Sequence, residues 1–143
     1  MAVVAPLFGA DKERAWAPGW NPSFIWPAEP RDQPGMVFTI AHGPATAVWV
    51  NTRYDLAGGR FQYVCVIPDL VATVITLKLK EEDKSLTHVS VQYDRTALSL
   101  AARERVEQMA FQDAHAGAAW STQINLYLAH DPHVIVDPAG ASV

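Results

Sequence analysis

Between Met36 and Ala97 the chain is cut four times by residues that stop regular structure: Gly43-Pro44, Asp55-Leu56-Ala57-Gly58-Gly59, Pro68-Asp69 and Glu81-Glu82-Asp83-Lys84. The pieces left between the cuts are Met36 to His42, Ala45 to Tyr54, Arg60 to Ile67, Leu70 to Lys80 and Ser85 to Ala97, strand-like segments with β-branched and aromatic residues. Short strands in succession, joined by tight turns, predict an antiparallel meander. The Asp55 to Gly59 stretch supplies a hairpin loop whose glycines are free to take positive φ. Leu70 to Lys80 has the cleanest alternation: Val71, Thr73, Ile75, Leu77 and Leu79 share one face, expected toward the core, and Thr76, Lys78 and Lys80 the other. In the last strand Val89, Val91, Tyr93 and Arg95 fall on the expected inner face, with His88, Ser90 and Gln92 toward solvent.

The flanks complete the architecture. Ala2 to Phe8 is apolar and breaks at Gly9; Asp11-Lys12-Glu13-Arg14 then restarts the chain with helix-favouring charge, with Asp11 expected as N-cap, so two short helices are predicted before Pro18-Gly19. Pro22, Pro27, Pro30 and Pro34 exclude a regular helix over Asn21 to Gly35 and leave Ser23 to Trp26 as at most a short edge strand. After Ser99, a good N-cap, Ala101 to Leu128 reads as one long helix with Ala102, Val106, Met109, Ala110, Trp120, Ile124 and Leu128 near a common face. Gly117 inside that helix costs about 0.5–1 kcal/mol relative to alanine, which predicts a close approach or a kink there. The fold class is therefore α+β: a curved antiparallel sheet of about six strands gripping a long C-terminal helix, with two short helices at the N-terminus. One domain spans residues 1–129, and Asp131-Pro132 ends the helix ahead of a loose tail over 130–143.

At 143 residues, half of them hydrophobic and 18% charged, the chain is long enough for one real core. A net charge of −4 gives no electrostatic reason to expect nucleic acid. The single cysteine, Cys65, precludes an intrachain disulfide, and within a strand it reads as a small buried thiol rather than a nucleophile. No apolar run approaches the roughly 20 residues of a membrane span. The start lacks the basic residues of a signal peptide, so the expected location is cytoplasmic.

Aromatic residues are the main chemical signal. Trp16, Trp20, Trp26, Phe38, Trp49, Tyr63, Tyr93, Phe111 and Trp120 either fill the core or line a cavity that takes an apolar or aromatic ligand. Arg95 is sharper, because an unpaired guanidinium on an inner face is costly. It binds a ligand carboxylate, pairs with a buried partner such as Asp113, or reaches water from the strand end. His115 either faces the cavity as an acid or base or stands exposed on its helix. The His130-Asp131-Pro132-His133 cluster lacks metal-ligand spacing, and no metal or cofactor is expected. Gly-x-Ser-x-Gly, a phosphate-binding glycine loop and His-Glu-x-x-His are all missing from the sequence.

In the order of its elements, and in Pro6-Leu7-Phe8, Trp16-Ala17-Pro18-Gly19-Trp20-Asn21-Pro22, Trp49-Val50-Asn51-Thr52-Arg53-Tyr54-Asp55 and Tyr93-Asp94-Arg95-Thr96-Ala97-Leu98-Ser99, the chain resembles the START-like or SRPBCC superfamily, the helix-grip fold of polyketide cyclases. The resemblance covers roughly Ala2 to Leu128. It implies a hydrophobic tunnel between sheet and helix, here with Trp16, Trp20, Phe38, Trp49, Tyr63, Tyr93, Arg95, Met109, His115 and Trp120 as expected ligand-binding residues. Two departures stand out. The family's first strand precedes its first short helix, whereas this chain begins almost at that helix, and the family commonly has an apolar residue where Arg95 stands. A missing strand leaves a sheet edge open, so a homodimer through that edge is expected. Three functions follow from the resemblance: binding of a small hydrophobic or aromatic molecule, a cyclase or aromatase-like reaction using Tyr93, Arg95 and His115, or a structural domain whose cavity is filled.

Overall fold

A computed structural model describes residues Met1–His130. The tail expected over 130–143 lies outside the described residues apart from His130, the last residue of the helix. The sheet is a six-stranded antiparallel meander in sequence order: β1 (Ser23–Trp26), β2 (Val37–His42), β3 (Ala45–Asp55), β4 (Arg60–Ile67), β5 (Val71–Glu81) and β6 (Thr87–Ala97). One helix, α1 (Arg103–His130), follows it.

The turn residues do what the sequence asks of them. Gly43 opens the two-residue β2–β3 loop at φ +57°, as the primed hairpin turns require. In the β3–β4 loop the Asp55 carboxylate accepts the Gly58 amide at 2.8 Å, and Gly59 takes φ +60°. A Cβ at Gly59 would stand 2.8 Å from the Leu79 carbonyl oxygen, because this loop lies against β5 and Leu79 donates its amide to the Gly59 carbonyl at 2.8 Å. The Asp83 carboxylate holds the β5–β6 turn by accepting the amides of Ser85 and Leu86.

The alternation in β5 holds: Val71, Thr73, Ile75, Leu77 and Leu79 are all buried. Phe38, Phe61 and Met36 have no exposed surface, so the densest packing lies under β2 to β5. The β3–β4 register shifts between Asn51 and Arg53, and this bulge increases local bend and twist, consistent with the curvature of the sheet. Along β6, Val89, Val91, Tyr93 and Arg95 are half-buried and His88, Ser90 and Gln92 exposed, as expected.

The two short N-terminal helices are present, as single 3-10 turns at Ala5–Phe8 and Lys12–Ala15. Some details are corrected. Asp11 does not cap the second, because it sits in the helical region of φ/ψ and its carboxylate pairs with the Arg14 guanidinium instead. The helix begins at Arg103; Ser99 caps the turn before it, accepting the Ala102 amide at 3.2 Å. Ala110 is exposed, being rotated about 100° from Met109. The inner stripe runs through Val106, Met109, Asp113, Trp120, Ile124 and Leu128, so an acidic residue lies in it. Gly117 makes no close approach, since a Cβ there would meet nothing within 4 Å, and α1 runs through it uninterrupted.

Candidate functional site

The N-terminal turns form the end wall of the space between sheet and helix, and their anchors are polar. Trp16 donates its indole N–H to the Leu7 carbonyl at 2.7 Å, Trp20 donates to the Ala10 carbonyl at 2.8 Å, and Tyr63 on β4 donates its hydroxyl to the Phe8 carbonyl at 2.7 Å. Each bond satisfies a ring's single polar group and fixes the ring plane. A continuous aromatic assembly results. Trp16 meets Trp120 of α1 edge-on at 5.8 Å, Trp20 meets Trp49 at 5.3 Å, and Phe38 stacks on Trp49 at 5.7 Å.

Two cavities lie in this region. The smaller, about 70 Å³, is walled by Phe8, Glu13, Trp20, Trp49, Tyr63, Ile75, Leu77, Tyr93 and Trp120. The larger, about 260 Å³, lies between the first half of β6 and the second half of α1, with Val89, Val91, Trp120, Ile124 and Asn125 among its walls. Phe8 and Trp120 border both, so these two rings form their common wall. Gly117 also borders the larger cavity.

Of the residues expected to bind a ligand, Trp20, Trp49, Tyr63, Tyr93 and Trp120 surround the small cavity. Trp16 and Phe38 are buried behind that lining, and Met109 packs against the core from α1. Arg95 chooses among its three readings: its guanidinium makes a two-pronged pair with Asp113, one prong at 3.0 Å, and lies over the Tyr93 ring at 4.6 Å. With side-chain exposures of 12% and 24%, both charges are largely withdrawn from water, which makes the pair mutually necessary. His115 is exposed, its ring against Phe111, which is itself 76% exposed. The position lies outside the inner stripe of α1, so Tyr93, Arg95 and His115 do not converge on one cavity.

Glu13 belongs to the lining and was read in the sequence only as part of a charged, helix-favouring run. The residue is half-buried, its carboxyl is crowded by protein, and it borders the small cavity. No hydrogen bond or ion pair among the described residues satisfies it. Burial, reinforced by the nearby Asp32 carboxylate, pushes its pKa up to about 8, so Glu13 is mostly protonated at neutral pH. Asp32 is itself raised by burial, against the lowering effect of the Asp11 and Ala10 amides. Burial pushes Tyr93 up to about 12 and Tyr63 well above its ordinary value. The Cys65 thiol is raised to about 12 by burial, which Arg95 only partly opposes, so it is held protonated and unreactive.

The spacing carried a signal for Glu13. In a 3-10 turn residues three apart eclipse, so Glu13 and Trp16 share the inward side, whereas Lys12 and Arg14 stand exposed. A second unpaired group lies in the same wall: the Trp49 indole N–H is buried without an acceptor. Asn51, two residues along β3, is fully buried with neither end of its amide bonded. Among the described residues no group of three or more His, Cys, Asp or Glu side chains is arranged to hold a metal ion.

Fold and site together define a two-layer α+β domain with an aromatic cavity between its layers. Comparison with known protein families, with curated proteins and with solved structures finds no match to this chain. No helix among the described residues is long and apolar enough to cross a membrane.

Proposed function

We propose that the protein binds a small hydrophobic or aromatic molecule between its sheet and its C-terminal helix, in keeping with its resemblance to the START-like superfamily. The observation that carries this reading is the pair of adjoining cavities separated by Phe8 and Trp120, the smaller walled by five aromatic residues from β3, β4, β6, α1 and the N-terminal segment besides Phe8. Aromatic rings converging from distant parts of the chain without filling the space between them are the usual surroundings of a small apolar ligand. The cyclase-like alternative draws on Tyr93, Arg95 and His115, of which only Tyr93 borders a cavity, so binding is the better-supported function.

Native mass spectrometry of protein purified from its own host tests this reading. The expected spectrum contains a non-covalent adduct that disappears on denaturation. A bare polypeptide mass, together with no uptake of small aromatic compounds added back, would refute it.

The reading extends to a homodimer. β6 is eleven residues long and among the described residues pairs on one side only, with β5, and an open edge of that length is a template for a second copy. Light scattering at micromolar concentration should give twice the chain mass, and a monomer would remove this part of the proposal.

A further inference from the structure

Taken as a binding site, a reading on which the identity of its ligand depends, the small cavity has a feature that a purely apolar molecule leaves unused. One of its lining residues is Glu13, whose carboxyl has no partner among the described residues, and much of the rest is aromatic ring. The charges around Glu13 are unevenly arranged. From the Pro-rich segment the nearest is Asp32, another carboxylate, and the hydroxyls of Tyr63 and Tyr93 approach from the sheet. The cations are engaged or directed elsewhere. Arg95 is bound to Asp113, Arg14 pairs with Asp11 and lies over the Phe24 ring at 5.5 Å, and Lys12 is exposed. Among the described residues the site thus lacks an internal counter-ion, and it offers a positive charge both a carboxylate-bearing residue and several aromatic rings. That pairing of an acid with several aromatic residues is how proteins hold ammonium groups away from water.

We propose that this cavity binds an organic ammonium ion, with Glu13 as its counter-charge and Trp20, Trp49, Tyr63, Tyr93 and Trp120 as its cage. A space of about 70 Å³ suits an ammonium head group with a few carbon atoms. Binding of the cation at neutral pH draws Glu13 into its ionised form and releases its proton, so affinity rises with pH until the free carboxyl is ionised.

The test uses three probes of equal length, n-butylammonium, n-butanol and butyrate, titrated into the full chain while the indole N–H resonances of its tryptophans are followed by NMR. At about pH 9, n-butylammonium should bind about tenfold or more tightly than n-butanol, with butyrate weakest. Glu13→Gln should abolish the preference for the cation over n-butanol. Should that variant not fold, wild-type protein supplies the same discrimination: ammonium affinity rises between about pH 6 and pH 9 while n-butanol affinity stays flat. Binding of n-butanol with equal or weaker binding of the cation would overturn the ammonium assignment and leave the apolar cavity standing. A cation preference that survives Glu13→Gln overturns it too. Absence of binding by all three probes would remove both readings.

Discussion

Replacing Glu13 by glutamine keeps the shape of the side chain and removes its titration, so the variant isolates what burying this carboxyl costs. In the unfolded chain the group has its ordinary value near 4.5; in the native protein burial and Asp32 raise it to about 8. Between those values the native state keeps a proton that the unfolded chain has released, so stability falls as pH rises through this window and levels off above it. At about 1.4 kcal/mol per pH unit the interval sets an upper bound of about 5 kcal/mol, and water entering the cavity brings the expected loss to about 2–4 kcal/mol. Asp32 is raised too and contributes with the same sign, but it is present in both proteins and largely cancels in the comparison. Tyr63 and Tyr93 ionise well above the window. The assay is urea unfolding of wild type and Glu13→Gln at about pH 5 and about pH 9, reading the difference of differences. Wild type should lose about 2–4 kcal/mol more than the variant over that range, leaving Glu13→Gln the more stable protein at high pH. Parallel pH dependence in the two proteins would refute the argument that Glu13 is buried and unpaired.

Other consequences arise from particular contacts. Arg95→Leu strands Asp113 and should cost about 2–4 kcal/mol by denaturant unfolding; adding Asp113→Asn should restore part of the loss, and affinity for an apolar ligand should not change. Gly59→Ala meets both a positive φ and the Leu79 carbonyl, so a stability loss of about 1–3 kcal/mol is expected, and a neutral result in thermal unfolding would show that the loop shifts freely. Asn51→Leu removes a fully buried amide that has no protein partner; it should be neutral or stabilising, whereas a loss above about 2 kcal/mol would reveal that ordered water or a ligand satisfies that amide.

The sheet was legible because turn residues and alternation are local properties. Gly43-Pro44 and Asp55 to Gly59 mark their hairpins directly, and Val71 to Leu79 name their own buried face. Arg95 could be flagged as costly from its place in β6, but the choice of Asp113 as partner depends on how α1 lies across the sheet, which no local pattern encodes. For the same reason Trp20, Trp49, Tyr63, Tyr93 and Trp120 were recognisable as a group, while the division between rings that line the cavity and rings that back it, such as Phe38, was not. Glu13 was missed because a charged residue between Lys12 and Arg14 reads as a solvated turn. Only the eclipsed geometry of the 3-10 turn sends it inward with Trp16. Gly117 misled in the other direction: helix propensity asked for a steric reason, and the structure has open space there.

The most direct test of an aromatic cavity that accepts small molecules is the indole N–H region of the NMR spectrum during titration with a small neutral apolar compound. Five tryptophans give five resonances, and the structure assigns them different environments. Trp20, Trp49 and Trp120 border the small cavity, Trp16 lies bonded behind it, and Trp26 is 54% exposed on β1. The account predicts saturable shifts of the Trp20, Trp49 and Trp120 signals while Trp26 stays in place. Shifts confined to Trp26, or five resonances that do not move up to the solubility limit of the compound, would contradict it.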